Sequence, residues 1–228
     1  MNRIMYKTIE NHMLSLMQDS AHDKEHIYRV LYIALDVASH EADVDMDVLI
    51  AACLLHDIGR GEQYNHPEVC HAQVGSAMAY DFLVQIGWQE RPARRVAECI
   101  YTHRYRNDQS PESLEAKILF DADKVDATGL LGIARTLVYQ GIVGQPLYTV
   151  DAAGQVMDGR GDSPPSFMHE YKFKLEKLYG VFYTQRASDI AAGRQNSAAV
   201  FYKNLLAETA ECYGQGQGLL GRALVDGR

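Results

Sequence analysis

The sequence lacks an excess of basic residues: 22 Lys and Arg stand against 30 Asp and Glu, which gives a formal net charge of -8. General nucleic-acid binders and membrane-surface binders collect Lys and Arg on one face. The charge therefore argues against both classes and predicts neither long nucleic acid nor membrane among the partners. A small anionic ligand stays open, because it needs only a local cluster of positive groups.

Long apolar runs and paired cysteines are also missing. No apolar run approaches the length of a membrane span, and the N-terminus shows no basic stretch followed by an apolar one. Cys53, Cys70, Cys99 and Cys212 share no CxxC spacing and lie in apolar helical patterns. We therefore expect reduced thiols, no disulfide framework, and a soluble cytoplasmic protein.

Strand-like alternation is weak, whereas apolar residues recur at three- and four-residue spacing over most of the chain. This period predicts an all-α fold. The glycine- and proline-rich residues at about 141–165 predict a long irregular excursion, and residues 213–228 a flexible tail. We expect one domain over residues 1–212, with a core at about 20–140 and C-terminal helices at 166–212. The predicted helices cover residues 3–18, 23–42, 48–58, 69–87, 91–103, 113–127, 129–140, 167–191 and 196–212.

The first candidate site lies in residues 52–61, ACLLHDIGRG. A predicted apolar helix ends there in His56 and Asp57. A buried, unpaired carboxylate is costly, and a cation is one of the few partners that removes the cost. Upstream, His26 faces the apolar side of its own helix. A core histidine bonded to a carbonyl is the alternative interpretation of His26.

An acidic cluster interrupts the apolar helix at residues 116–129, AKILFDADKVDATG. The cluster consists of Asp121, Asp123 and Asp126. A solvated helix face that also carries Lys124 explains some of these aspartates but not all of them, because they fall on more than one face of the helix. Two imidazoles and two carboxylates on separate core helices would make a site for a divalent first-row metal ion.

The order of His26, the doublet His56-Asp57 and a distant aspartate in DADK resembles the H…HD…D signature of the HD-domain superfamily of metal-dependent phosphohydrolases. Segments from HDKEHIYRV to HEYKFKLEKL follow the order of its YedJ/YpgQ-like branch over about residues 20–200. The resemblance implies an HD-domain helical bundle in which His26, His56, Asp57 and Asp123 hold a divalent ion. Mn²⁺ or Mg²⁺ is expected first, with Fe²⁺, Co²⁺, Ni²⁺ or Zn²⁺ as alternatives. Asp121 is the fallback ligand, since the superfamily's last ligand usually follows an Ala and precedes a basic residue.

The resemblance also implies the reaction: hydrolysis of a small phosphorylated metabolite, above all a nucleotide, by attack of a metal-bound water. Superfamily members that cleave alarmones carry an acidic pair after the doublet (HDxxED), but this chain has HDIGRGEQ. We therefore expect Asp57 to accept the proton and Arg60 to offset charge on the phosphoryl oxygens. Asp126 is expected to orient water or substrate.

Several residues near the ligand positions are candidates for substrate contact. His71 and His103 match positions that some superfamily members use for a second metal or for phosphate. The alternative is that His71 is a surface residue at a helix start and His103 a partly buried residue at a helix end. Basic side chains suit phosphate oxygens. The candidate substrate-binding residues are His22, Arg29, His71, His103, Arg104 and Lys124.

Two other functions stay open at this point. The first is a non-catalytic sensor that binds a nucleotide at the HD site. The second is an HD-type oxygenase with two irons, for which His71 and His103 would supply further ligands. The complete ligand set favours the phosphohydrolase, and nothing in the sequence indicates an oligomeric state.

Overall fold

The structure, a computed structural model, describes residues 1–17, 24–104, 110–162 and 165–225. Within these ranges there is no β-strand, and an isolated antiparallel bridge joins Val150 to Val156 in the excursion. The predicted all-α fold is confirmed. The helices are α1 (Arg3–Leu16), α2 (Lys24–Ala38), α3 (Met46–Leu55), α4 (Arg60–Asn65), α5 (His71–Gln85), α6 (Glu90–Thr102), α7 (Leu114–Asp126), α8 (Gly129–Val143), α9 (Phe167–Phe173) and α10 (Gln185–Val225), with a 3₁₀-helix at Leu175–Gly180.

Three regions differ from the predicted helix pattern. The short helix α4 lies between the predicted helices at 48–58 and 69–87, where none was predicted. The helix predicted over residues 167–191 is divided into α9, the 3₁₀-helix and the start of α10. The glycine-rich end, predicted as a flexible tail, is helical as far as Val225. Glycine costs a helix about 1 kcal/mol relative to alanine, whereas proline costs about 3. Residues 185–225 contain no proline, so nothing in the sequence stops this helix.

The chain divides into two compact units. The first comprises Met1–Asp126 and Phe182–Asp189, and it contains every proposed metal ligand. The second comprises Ala127–Val181 and Ile190–Arg228. No helix in the described ranges has both the length and the apolar character needed to cross a membrane.

The first unit is built around α3. This helix is apolar on all sides, which is typical of a helix enclosed by others, and it contacts α1, α2, α6 and α7. The Asp45 side chain accepts a hydrogen bond from the N–H of Val48 at 3.2 Å and caps the helix start. The helix ends at Leu55 with His56 as its C-cap, so the doublet stands at a helix end inside the core.

The second unit has an apolar core of its own, contributed by α8, α9, the 3₁₀-helix and α10. Tyr171 and Tyr202 stack there with ring centroids 4.3 Å apart. Gly144 ends α8 in the left-handed conformation, with φ of 70°. The excursion follows this glycine, as the sequence predicts.

Candidate metal centre

The turn after α3 packs directly on the start of α5. A Cβ atom at Gly59 would lie 2.3 Å from the carbonyl oxygen of His71 and 2.7 Å from the amide nitrogen of Gly75. Only glycine fits such a contact. The close approach brings Asp57, within the turn, next to His71, the first residue of α5.

A first ligand group is formed by His26 from α2, His56 at the end of α3 and Asp123 from α7. The Nε2 atom of His26 lies 3.4 Å from Nε2 of His56 and 3.3 Å from an Asp123 oxygen. All three ligand atoms lie within 4.8 Å of one another. This spacing fits one cation held between them.

A second ligand group is formed by Asp57, His71 and His103. The Nε2 atoms of the two histidines are 3.4 Å apart. They lie 3.4 and 3.6 Å, respectively, from Oδ1 of Asp57. His71 opens α5 and His103 is the C-cap of α6, so each imidazole projects from a helix terminus.

Asp57 lies between the two groups. Its Oδ2 atom is 3.7 Å from Nε2 of His26 and 3.8 Å from Nε2 of His56, whereas Oδ1 faces the second group. The Nε–H of Arg60 donates to Oδ1 at 3.0 Å. One carboxylate thus presents an oxygen to each group.

All four imidazoles are oriented in the same way, with Nδ1 on a hydrogen-bond acceptor and Nε2 toward the centre. A histidine that donates from Nδ1 keeps the Nε2 lone pair for a metal, which is the usual arrangement of metal-binding histidines. The Nδ1 partners are an Asp126 oxygen for His26 at 2.8 Å, the Cys53 carbonyl for His56 at 2.8 Å, the Gln63 side-chain oxygen for His71 at 2.7 Å and the Ile100 carbonyl for His103 at 2.6 Å.

The surroundings of His56, His71 and Asp57 favour the forms of these side chains that can bind a metal ion. Burial lowers the pKa of His56 to about 4, and burial together with the Arg60 guanidinium lowers the pKa of His71 to about 2. Burial alone would raise the pKa of Asp57, but Arg60 and His56 bring it well below its usual value. His56 and His71 are therefore neutral and Asp57 is ionised near neutral pH.

This arrangement fits a divalent first-row metal ion. Lone pairs of two imidazoles meet at 3.4 Å in each group, with a carboxylate oxygen nearby. Without a proton or a cation between them, such lone pairs repel each other. The alternative interpretation of His26 is a core histidine bonded to a carbonyl. Such a bond would account for one ring nitrogen but would leave the position of Nε2 unexplained.

The two neighbouring aspartates of α7 have different surroundings. Asp121 is fully buried and accepts hydrogen bonds from the backbone N–H groups of Tyr183 and Thr184 and from the Thr184 hydroxyl. Asp123 faces His26, and Lys124 donates to its other oxygen at 2.7 Å. The geometry therefore favours Asp123 over Asp121, the fallback, as the ligand.

Asp126, expected to orient water or substrate, and Arg29, expected to contact substrate, are bonded to each other in the structure. The Asp126 side chain is wholly buried, with one oxygen on Nδ1 of His26 and the other 2.7 Å from Nε of Arg29. Asp126 thus lies behind His26 as seen from the ligand group. The substrate contact expected of Arg29 and the orienting role expected of Asp126 stay predictions.

The other predicted substrate contacts are distributed around the second group. Lys124 donates to the carbonyl oxygen of His103 at 3.1 Å, and Nη1 of Arg104 lies 3.6 Å from Sγ of Cys70. His71 and His103 are ligand-group members rather than surface residues. His22 lies outside the described residues.

Several partners of the site carried no signal in the sequence. Gln63, eight residues before His71, orients that imidazole through a side-chain amide. Backbone carbonyls at Cys53 and Ile100 orient two others, and a carbonyl is present at every position. The glycine after the doublet was the one visible clue to the close packing on α5.

The chain is similar in sequence and in fold to known proteins. Residues 24–128 match the HD domain family model. The chain is 29% identical over 192 residues to the uncharacterized protein YpgQ of Bacillus subtilis, covering 82% of this chain and 84% of YpgQ. The crystal structure of that YpgQ in complex with ADP superposes with a TM-score of 0.69 at 26% identity, over 89% of this chain and 97% of the other.

A further similar structure is that of a predicted HD superfamily hydrolase from an uncultured Thermotogales bacterium. It is 28% identical, has a TM-score of 0.58, and covers 90% of this chain and 92% of its own. The ligand order in the sequence, the helical fold and the match to the family model agree with one another. Residues 24–128 are thus similar to the HD domain family, and the solved structures similar to the chain include a predicted HD-superfamily hydrolase.

Proposed function

We propose that this protein is a metal-dependent phosphohydrolase that acts on a small nucleotide. The observation that carries the proposal is the convergence of four imidazole Nε2 atoms and two carboxylates on one buried place. Support also comes from YpgQ of Bacillus subtilis, which has been crystallised with ADP. His26, His56, Asp57 and Asp123 would hold the ion, with Mn²⁺ or Mg²⁺ expected first.

A bound divalent ion would polarise a phosphoryl oxygen and lower the pKa of a coordinated water. Residues of the chain hold and orient the two carboxylates of the site. Arg60 fixes the Asp57 carboxylate at 3.0 Å and keeps it ionised, so that Asp57 can accept a proton from the attacking water. Lys124 holds one Asp123 oxygen and leaves the other directed at His26.

The charge of the protein limits the size of the substrate. A net charge of -8 repels polyanions at long range, so binding depends on short contacts in a pocket. Binding of DNA or RNA instead depends on many phosphate contacts along a basic surface. Mononucleotides fit this protein better than long strands.

A substrate screen with the metal-loaded protein tests the proposal. Mononucleotides and long oligonucleotides would be incubated separately, and phosphate and pyrophosphate release scored independently. We expect turnover of mononucleotides alone, lost on chelation and restored by Mn²⁺. Cleavage of long strands with mononucleotides untouched would indicate a nuclease, and nucleotide binding without turnover would indicate the sensor.

A further inference from the structure

The stripe of α10 that packs on the core of the second unit continues past the end of that core. Ala198 and Tyr202 begin it and are buried in the apolar core. Leu220 and Leu224 continue it at helical spacing, and they are 59% and 73% exposed. The stripe consists of Ala198, Tyr202, Leu206, Tyr213, Leu220 and Leu224. One face of α10 is therefore buried in its first part and exposed in its last turns.

The exposed end of α10, residues 212–224, is not stable as a helix by itself. Its residues are exposed except Tyr213, whose ring lies 5.9 Å from that of Tyr148. It contains four glycines, and each costs a helix about 1 kcal/mol relative to alanine. Isolated helices shorter than about 12–15 residues are marginal in water even when they are rich in alanine. The exposed end therefore needs an apolar surface on which to pack.

Helix α8, in the same unit, has an exposed apolar face. Ile133 and Gln140 lie on its buried side. The opposite side, the outer face of α8, carries Leu131, Val138 and Ile142, all of them exposed. A helix that is apolar on both sides is typical of one enclosed by other helices. The outer face of α8 therefore also needs a partner.

The exposed end of α10 and the outer face of α8 match in length and in charge. Helix α8 has 15 residues, and both surfaces are about 20 Å long at 1.5 Å per residue. Neither contains Asp or Glu, although the chain has 30 of these residues and a net charge of -8. Two copies of an acidic protein repel each other, so they approach most easily where carboxylates are missing from the surface.

We propose that the exposed end of α10 in one copy of the chain packs on the outer face of α8 in a second copy. Each copy offers both surfaces, so a two-fold axis pairs them twice and closes the assembly as a dimer. The leucines of α10 then pack among the aliphatic side chains of α8, with the helix axes about 8–10 Å apart. The dimer requires neither the metal ion nor the substrate of the proposed function.

Sedimentation equilibrium of the full chain tests the proposal with matched substitutions. Ile142→Asp places a carboxylate on the outer face of α8, and Leu220→Asp places one on the exposed end of α10. Ile4→Asp is the control, because Ile4 is an exposed helical isoleucine of the first unit. All three side chains are exposed, so the substitutions leave the two cores intact, which thermal unfolding checks.

The wild type and Ile4→Asp should sediment at twice the chain mass of 25.6 kDa at micromolar concentration. Ile142→Asp and Leu220→Asp should each raise the Kd of the dimer by about 100-fold or more, because two unpaired carboxylates would be buried per dimer. A monomeric wild type overturns the proposal, and so does a dimer that either variant leaves intact. A monomer that binds phosphatidylglycerol vesicles, unless it carries Ile142→Asp, would assign the surface to a membrane instead.

Hydrogen exchange distinguishes this pairing from other dimers. Packing on α8 of the second copy should protect the backbone amides of residues 212–224 in the wild type. Ile142→Asp changes the other helix, so loss of protection at residues 212–224 in that variant reports contact between the two surfaces. If Ile142→Asp dissociates the dimer while exchange at residues 212–224 stays as in the wild type, the proposed pairing is wrong.

Discussion

The two ligand groups differ in how they are built. His26, His56 and Asp123 come from three separate helices, and the Asp123 side chain keeps 18% of its surface exposed. In the second group the side chains of Asp57, His71 and His103 are each exposed by 6% or less. The first group thus offers an opening for water or substrate, whereas the second is closed by protein. We infer that the first group holds the reactive ion and that the second assists it.

The largest expected effect separates the two groups. His56→Ala should abolish tight metal binding and metal-dependent turnover, because it removes one of two imidazoles from the first group. His103→Ala should retain one ion and lower kcat by about 10–100-fold, the usual range for supporting residues of metal sites. Metal analysis of both purified variants checks this order.

Thermal unfolding with and without Mn²⁺ serves as the control for folding. An ion at 100 times its dissociation constant stabilises the native state by about 2.7 kcal/mol. This metal-dependent increase in Tm should vanish in His56→Ala and persist in His103→Ala. Equal loss in both variants would mean that the groups act as one inseparable site.

Within the first group, Asp123→Asn should reduce turnover to background while the fold is retained. Asp121→Asn should keep most of the activity and lower the free energy of unfolding by about 1–3 kcal/mol, because an NH2 group replaces one of the two buried oxygens that accept from three donors. Kinetics and urea unfolding of the pair distinguish the two roles. The reverse order would move the fourth ligand to Asp121.

A smaller effect is expected behind the first group. Asp126→Asn should weaken Mn²⁺ affinity by about 10–100-fold, because the carboxylate orients His26 through Nδ1. The KM for nucleotide at saturating Mn²⁺ should not change, since the Asp126 side chain is wholly buried. A raised KM with normal metal affinity would instead place Asp126 on the substrate.

The smallest effect is expected at Arg104, which directly follows His103 of the second group. Arg104→Ala should raise KM for a mononucleotide by about tenfold with kcat nearly unchanged, because the guanidinium binds substrate and transition state alike. Initial-rate kinetics over a range of nucleotide concentrations measure both constants. A fall in kcat at constant KM would assign Arg104 to the transition state alone.

The sequence predicted His56 and Asp57 as metal ligands more directly than His71 and His103, for a physical reason. His56 and Asp57 end an apolar run, so their burial and their need for a cation are visible in the order of residues. His71 and His103 sit at helix ends, where exposed and buried histidines have the same local pattern. Their burial depends on the contact of Gly59 with α5, which is a tertiary property.

The fold, like the site, was predicted where it depends on local sequence and not where it depends on tertiary contacts. Helical period predicted the all-α class and most of the helices. The division of the chain into two units and the contact of Asp121 with Tyr183 involve residues far apart in the chain. The bridging position of Asp57, with one oxygen toward each group, likewise emerges only when four helices are packed together.

Anomalous diffraction from crystals of the full chain grown with Mn²⁺ tests the central claim most directly. The account predicts a peak bounded by His26, His56, Asp57 and Asp123, at about 2.0–2.2 Å from the histidine Nε2 and carboxylate oxygen atoms, the distances usual for such ligands. A weaker second peak by His71 and His103 would show that the supporting group also takes an ion. No peak near His26 and His56, in crystals of active protein, would contradict the account.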